Sequence, residues 1–225
     1  MLVGVNPEGL QVSLLSVPRD LQLNVPGYGV QPIHVANALG EQAEAGSGAV
    51  LTAAALEAPL GITVDRFVRL RFEDLEALIN AAGGVTIDVE RTIRDEAFPL
   101  SDTETAVLQF DPGLQWMDGE RALRYARTRH SDDDYARAAR QQQVVQAFAR
   151  QLLNPLTWPG VLAALNAIES NLTLTDVLGA TPVVLLNAGR FEQRTIDRSL
   201  MQTRGDGTIV VDWEALRPWV NAHFD

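Results

Sequence analysis

The chain has 225 residues, of which 46% are hydrophobic and 21% charged, so it is long and apolar enough for one large folded domain or two small ones. Its net charge of −11 argues against general attraction to nucleic acid or to an anionic membrane. Cysteine and lysine are absent, which excludes disulfides, thiol catalysis, cysteine metal sites and lysine nucleophiles.

The first part of the chain alternates between strand and helix patterns. Strand patterns occur at MLVGV (1–5), QVSLLSV (11–17), FVRLRF (67–72) and VTIDV (85–89). Between them, the segment 18–32 is rich in proline and glycine and predicts a loop, whereas 48–60 and 72–84 predict helices. This order of elements indicates an α/β layered fold.

The second part of the chain is predicted to be mainly helical. Segment 91–113 has no clean period and is interpreted as an extended excursion. Asp118 can cap a helix over 119–127, and the aspartates at 132–134 can cap a longer helix that runs to Leu153. The remaining predictions are an apolar helix to about 168, a partly helical 175–189 with a break or kink at Pro182, strands at 193–200 and 208–212, and a terminal helix at 212–224.

No apolar stretch reaches the ~18 residues of a membrane span, and no signal peptide is evident.

An arginine-rich run, RTRHSDDDYARAARQQ (127–142), carries the strongest chemical signal. It places Arg127, Arg129, Arg137 and Arg140 close together, and three consecutive aspartates interrupt them. On a helix that begins in those aspartates, Arg137 and Gln141 lie four residues apart and share one face. Guanidinium groups bind phosphate oxygens in pairs, so the run predicts a diphosphate-binding site.

Five segments in a fixed order carry a resemblance to a known family. They are SVPRD (16–20), IHVANALG (33–40), AAGGVTIDV (81–89), GLQWMDGERALRYARTRH (113–130) and DYARAARQQQVV (134–145). In this order they resemble the LytR-CpsA-Psr family of bacterial cell-envelope proteins, also called the cell envelope-related transcriptional attenuator domain. The resemblance implies a single layered α/β domain over residues 1–225, with a central mixed β-sheet and helices on both faces.

The resemblance also implies a function. Such proteins are phosphotransferases that move a glycopolymer from a polyprenyl-pyrophosphate carrier to peptidoglycan or another wall acceptor, usually with Mg²⁺, at the outer face of the bacterial cytoplasmic membrane. Phosphoryl transfer depends mainly on positioning and charge neutralisation, which arginines supply. One alternative is a non-catalytic polyprenyl-pyrophosphate binder without a metal centre. A regulatory, nucleic-acid-binding attenuator is disfavoured by the acidic charge.

Candidate site residues follow from motif position. Those matching family residues that hold the diphosphate are Arg19, Arg127, Arg129, Arg137 and Gln141. Arg140 joins them as a candidate, with a structural role facing the core as its alternative, and Asp20 is a supporting residue. Asp134 and Arg137 are the candidate catalytic residues. Asp134 could orient an arginine or take the acceptor's proton, and orientation is favoured because neighbouring arginines make a carboxylate a poor base.

Simpler interpretations apply to several of these residues. Arg137 and Gln141 could form a solvated helix face, with Arg137 paired to Asp133, and Arg19 and Asp20 could be only a turn-stabilising pair. Arg121 and Arg124 are expected to be solvated or paired with Glu120 and Asp118. Helix capping is a better interpretation of the aspartate run than metal binding.

The sequence departs from the family pattern at three places, one of them Asn37, where the family frequently has an aromatic residue. His34 stands where the family commonly has asparagine, and a structural hydrogen-bonding role is expected for it. An Arg-x-Asp-Thr motif, whose aspartate binds magnesium in the family, would lie upstream of Met1. The membrane anchor and first strand are expected there as well, so the domain is predicted to be N-terminally shortened and its own activity is left open.

Overall fold

A computed structural model describes most of the chain, namely residues 1–6, 8, 10–100, 103–128, 134–187, 191–203 and 209–224. Its contacts divide the chain into two compact units. Unit 1 comprises Met1–Arg69, Ser170–Val183 and Glu192–Asp225, and unit 2 comprises Leu70–Glu169 and Val184–Phe191. The assignment of one domain stays a prediction. Within the described ranges, no helix combines the length and the apolar character needed to cross a membrane.

The chain contains both strands and helices, interspersed along its length, which confirms the predicted α/β class. The strands are β1 (Leu2–Asn6), β2 (Gln11–Ser16), β3 (Gln22–Val25), β4 (Gly29–Pro32), β5 (Val68–Arg69), β6 (Val85–Val89), β7 (Ile93–Pro99), β8 (Thr105–Phe110), β9 (Gly113–Met117), β10 (Glu169–Ser170), β11 (Glu192–Thr195), β12 (Met201–Thr203) and β13 (Ile209–Val211). The helices are α1 (Ile33–Ala43), α2 (Gly48–Leu60), α3 (Phe72–Ala81), α4 (Gly119–Arg127), α5 (Asp134–Gln151), α6 (Trp158–Leu165), α7 (Leu174–Leu186) and α8 (Trp213–Phe224).

Unit 1 is built on a mixed three-stranded sheet. Strands β1 and β2 are antiparallel, with Leu2 opposite Leu15, and β11 joins β2 in parallel, with Glu192 opposite Ser13. The core beside this sheet includes the fully buried Ile196 from the segment after β11 and Leu216 from α8. The mixed sheet was predicted, and so were β1, β2 and α2.

Unit 2 combines two antiparallel strand pairs with helices. Strand β6 pairs with β9, and β7 pairs with β8. The side chains of β6 alternate between buried and exposed, as VTIDV predicts, so one face of the strand enters the core. In that core Tyr125 of α4 meets Phe110 of β8 edge to face, with ring centroids 5.1 Å apart. Helices α4 and α5 therefore pack close to this core.

Two predictions for the region before α2 need correction. Segment 18–32 is not only a loop, because β3 and β4 form an antiparallel hairpin there with Val25 opposite Gly29. Leu23 and Val25 are buried while their neighbours in β3 are exposed, so burial of one strand face outweighs the nearby proline and glycines. Helix α1 was not predicted, although its buried Ile33, Ala36 and Gly40 follow helical spacing.

Four predictions for the later elements also need adjustment. Segment 91–113 contains the antiparallel hairpin of β7 and β8. The pairing register of this hairpin shifts between Asp95 and Phe98, and this shift hides the period of two in the sequence. Helix α5 ends at Gln151 rather than Leu153. Helix α7 continues through Pro182 to Leu186, so of the two predicted outcomes the break is wrong and the kink stays a prediction. The predicted strand over 193–200 is shorter, because β11 ends at Thr195 and a 3-10 turn covers Arg198–Leu200.

Candidate functional site

The beginning of α3 is fixed by a carboxylate that faces back toward it. Asp74 accepts a hydrogen bond from the backbone N–H of Arg71 at 2.8 Å, and the Arg71 guanidinium donates to both of its oxygens at 3.2 and 3.3 Å. The guanidinium, followed by the backbone bond, holds the pKa of Asp74 below its usual value. Phe72, the first residue of α3, is therefore attached to a well-defined helix end.

Helices α3 and α4 lie side by side in opposite directions, which places one end of each at the candidate site. At the far end, the backbone N–H of Gly119 donates to Asn80 at 2.8 Å, and Asp118 caps α4 by accepting from the N–H of Arg121 at 2.8 Å. The cap confirms the sequence prediction for Asp118. At the near end, α4 finishes at Arg127 beside the first residue of α3.

The guanidinium of Arg127 lies over two aromatic rings. Its Cζ atom is 4.4 Å from the ring centroid of Phe72 and 5.4 Å from that of Phe98 in β7. Arg127 is half-buried, and within the described residues no carboxylate or other acceptor pairs with its guanidinium. Its N–H groups are consequently available to an anion, which is the property that a phosphate-binding arginine needs.

Arg140 has a different environment, because it is buried and bound to the backbone. Only 4% of the residue is exposed, and its Nη2 donates to the carbonyl oxygen of Thr128 at 2.5 Å. Thr128 follows the last residue of α4, so this bond ties the C-terminal end of α4 to α5. A second bond, from the Tyr125 hydroxyl to Gln143 at 2.5 Å, joins the same helices. These contacts agree with the structural alternative for Arg140.

The structure describes some of the other candidates in the arginine-rich run fully and others in part or not at all. Arg137 and Gln141 both lie on α5, with Arg137 half-buried and Gln141 exposed. Asp134 is the first residue of α5, and its side chain lies outside the described part of the structure. Arg129 also lies outside the described residues.

Arg19 and Asp20 belong to unit 1, where they form a turn-stabilising pair. The Arg19 Nε donates to Asp20 at 3.3 Å. The backbone N–H of His34 and its ring Nδ1 both donate to the carbonyl oxygen of Arg19, at 3.1 and 2.9 Å, and the ring nitrogen is 3.3 Å from the Asp20 carboxylate. Because Nδ1 faces two acceptors, it carries the proton. His34 thus has the structural hydrogen-bonding role that was expected.

Two further arginines of α4 have partners in unit 2. Arg124 pairs with Glu120, as predicted. Arg121 donates to the side chain of Gln115 at 3.0 Å and lies over the Phe110 ring at 4.8 Å. Their donors are already partly used, so neither matches the environment of Arg127.

A metal centre was expected only from residues upstream of Met1. In the described part of the chain, no group of three or more histidine, aspartate and glutamate side chains is suited to hold a metal ion.

Sequence reasoning missed the two aromatic residues that contact Arg127. Phe72 was interpreted as part of a strand and helix boundary, and Phe98 as part of an extended excursion. Neither lies three or four residues from Arg127, so no helical spacing connects them. Segment 91–113, which contains Phe98, shows no clean period either, so no signal in the sequence connects this residue to Arg127.

Comparison with known proteins identifies the family. The model of the LytR_cpsA_psr family matches residues 1–217, so the chain belongs to this family. A relative from Bacillus subtilis (strain 168), the polyisoprenyl-teichoic acid–peptidoglycan teichoic acid transferase TagT, is 30% identical over 188 residues. That alignment covers 82% of this chain and 56% of TagT. The chain spans about half the length of the curated relatives it matches.

Solved structures share the fold. The crystal structure of B. subtilis TagV superposes with a TM-score of 0.76 at 23% identity, covering 98% of this chain and 86% of that one. A structure of TagT bound to LIIa-WTA gives a TM-score of 0.71 at 23% identity, covering 99% of this chain and 83% of that one. The likeness confirms the mixed α/β fold predicted from the sequence.

Proposed function

We propose that this chain is the core of a phosphotransferase that moves a glycopolymer from a polyprenyl-pyrophosphate carrier to peptidoglycan or another wall acceptor. The main support is the environment of Arg127. Its guanidinium is half-buried over two aromatic rings and pairs with no acceptor among the described residues. Family membership and the transferase names of its relatives support the same activity.

The proposed reaction is a phosphoryl transfer with a defined exchange of bonds. A hydroxyl oxygen of the acceptor attacks the phosphorus atom that carries the saccharide, and the bond from that phosphorus to the bridging oxygen of the pyrophosphate breaks. The product is a phosphodiester, polyprenyl phosphate leaves, and the hydroxyl proton is released. Charge accumulates on phosphate oxygens during this exchange, so positioned guanidinium groups lower the barrier.

The roles of individual residues are part of the proposal. Arg127 and Arg137 bind phosphate oxygens, and Gln141, four residues from Arg137 on α5, assists. Arg140 contributes by holding α5 to the end of α4. On motif position alone, Arg19 with its neighbour Asp20 and Arg129 also contact the diphosphate, and Asp134 orients an arginine.

The cofactor and the location are proposed from the family. Divalent metal use, with Mg²⁺ as the expected ion, would add charge neutralisation at the pyrophosphate. Because the donor is a polyprenyl lipid, we place the reaction at the outer face of the cytoplasmic membrane, in the cell envelope, with an anchor upstream of Met1. Nucleic acid is not a proposed partner, given the charge of −11.

The activity can be tested with purified protein, a short-chain polyprenyl-pyrophosphate saccharide and peptidoglycan, with and without Mg²⁺. The measured quantity is the release of polyprenyl phosphate, using both this chain and a form extended upstream of Met1. We expect Arg127→Ala and Arg137→Ala to reduce the rate by about 10²-fold or more, the usual effect of removing one donor to a developing negative charge.

Arg150→Ala is the matched control, because Arg150 is an exposed arginine of the same helix, α5, and among the described residues its guanidinium donates only to Gln146. Its rate should equal that of the unsubstituted protein. An extended form that releases no polyprenyl phosphate would refute the transferase. If that form still binds the donor through Arg127, the protein is instead a carrier-lipid binder.

A further inference from the structure

We infer that Phe72 and Phe98 are positioning residues that hold the Arg127 guanidinium over their rings, without a competing carboxylate, so that it can bind a diphosphate. This inference rests on the proposed function, because it explains how one of its phosphate-binding residues is presented. The Cζ atom of Arg127 lies 4.4 Å from the centroid of the Phe72 ring and 5.4 Å from that of the Phe98 ring.

An aromatic ring and a carboxylate hold a guanidinium in different ways. A carboxylate accepts hydrogen bonds from the edge of the guanidinium plane and neutralises its charge, as Glu120 does for Arg124. A ring attracts the guanidinium through its π electrons and leaves the positive charge without a neutralising anion. Arg127 therefore keeps a positive charge that no carboxylate of the described residues neutralises, and guanidinium N–H groups bind phosphate oxygens in pairs.

The two rings are themselves held in place by different elements of unit 2. Phe98 is only 2% exposed and is packed into the core from β7. Phe72 is 55% exposed but begins α3, where Asp74 fixes the backbone of the preceding residue. The buried ring and the exposed ring thus both contact the guanidinium from elements that are fixed in unit 2. Because Phe72 is on the surface, it can be changed without opening a cavity in the core.

The test compares Phe72→Leu, which keeps an apolar side chain but removes the ring face, with Phe72→Trp, which restores a face. Titration calorimetry with inorganic pyrophosphate measures binding to the 225-residue protein. We expect Phe72→Leu to weaken binding about three- to tenfold, the range of a partly exposed cation–π contact, and Phe72→Trp to recover most of the loss. In an Arg127→Ala background, Phe72→Leu should have no further effect.

Trp116→Leu is the control for removing an exposed aromatic side chain from the same unit. Trp116 is 61% exposed on β9, and no arginine in the described part of the chain lies over its ring. Pyrophosphate binding should be unchanged by this substitution. A loss equal to that of Phe72→Leu would overturn the specific role of Phe72.

An NMR measurement on the ligand-free protein separates the inference from the proposed function. The Arg127 side-chain protons over the rings should show upfield ring-current shifts that diminish in Phe72→Leu. Unchanged Arg127 shifts would overturn the positioning role, whatever the protein binds. Normal shifts in a protein that fails to bind pyrophosphate would count against the proposed function and leave the contact itself intact.

Discussion

Gly119 provides a sharp test of how α3 and α4 are packed. A Cβ atom at this position would lie 2.3 Å from the backbone oxygen of Glu76 and 2.7 Å from its Cα. Those atoms belong to the middle of α3 and cannot rotate away as the end of a flexible side chain could. Gly119→Ala should therefore push α3 and α4 apart by about 1 Å, since ordinary Cβ contacts lie near 3.4 Å or more.

Two opposing effects set the sign of the change in stability. Alanine is favoured over glycine inside a helix by about 1 kcal/mol, and by less at Gly119 because it is the first residue of α4. Overpacking costs about 1–3 kcal/mol, and the upper part of that range applies to a clash with backbone. The displaced Gly119 N–H also weakens its 2.8 Å bond to Asn80. We expect a net loss of about 2 kcal/mol, which lowers the melting temperature by roughly 4–8 °C in a chain of this length.

Gly179→Ala is the matched control, because Gly179 lies inside α7 and a Cβ there meets nothing within 4 Å. That variant should be more stable than the unsubstituted protein by about 0.5–1 kcal/mol. Thermal and urea unfolding of both variants give the comparison. If Gly119→Ala proves as stable as Gly179→Ala, the close approach of α4 to Glu76 is wrong.

Two substitutions of acidic residues test other local features. Asp118→Ala should cost about 1 kcal/mol in urea unfolding by removing the cap of α4, whereas Asp118→Asn should keep most of it; equal losses would contradict capping as the cause. In unit 1, Asp176 accepts from the Arg66 guanidinium and from Thr173, which together hold its pKa well below the usual value. A carboxylate whose pKa is lowered by folding stabilises the protein at pH values above its unfolded pKa of about 4, and this stabilisation is lost as the pH falls. Asp176→Asn should therefore make the free energy of unfolding less dependent on pH between about pH 2 and 5. An unchanged curve would show that this ion pair does not contribute.

Local patterns in the sequence were sufficient for elements whose burial follows a simple period. VTIDV alternates and forms β6, and Asp118 before GERALRYAR caps α4 as expected. The hairpin of β3 and β4 also alternates in its first strand, but Gly27 and Gly29 obscured it. Both glycines have positive φ, 81° and 72°; Gly27 lies in the short turn between the two strands, and Gly29 begins β4. Tertiary burial of Leu23 and Val25 decided the structure there.

The arginine-rich run shows why sequence alone could identify a candidate site but not rank its members. Helical counting was enough to suspect Arg140, because it shares a buried stripe of α5 with Val144 and Ala147 at spacings of four and seven. Arg127 could not be separated from the others in this way, since its distinguishing contacts, Phe72 and Phe98, come from distant elements. The Arg140 guanidinium donates one hydrogen bond to the Thr128 carbonyl oxygen. The Arg127 guanidinium lies over two aromatic rings and pairs with no acceptor among the described residues. The availability of N–H donors, which only the folded chain determines, therefore makes Arg127 the stronger candidate for phosphate binding and Arg140 a residue that holds two helices together.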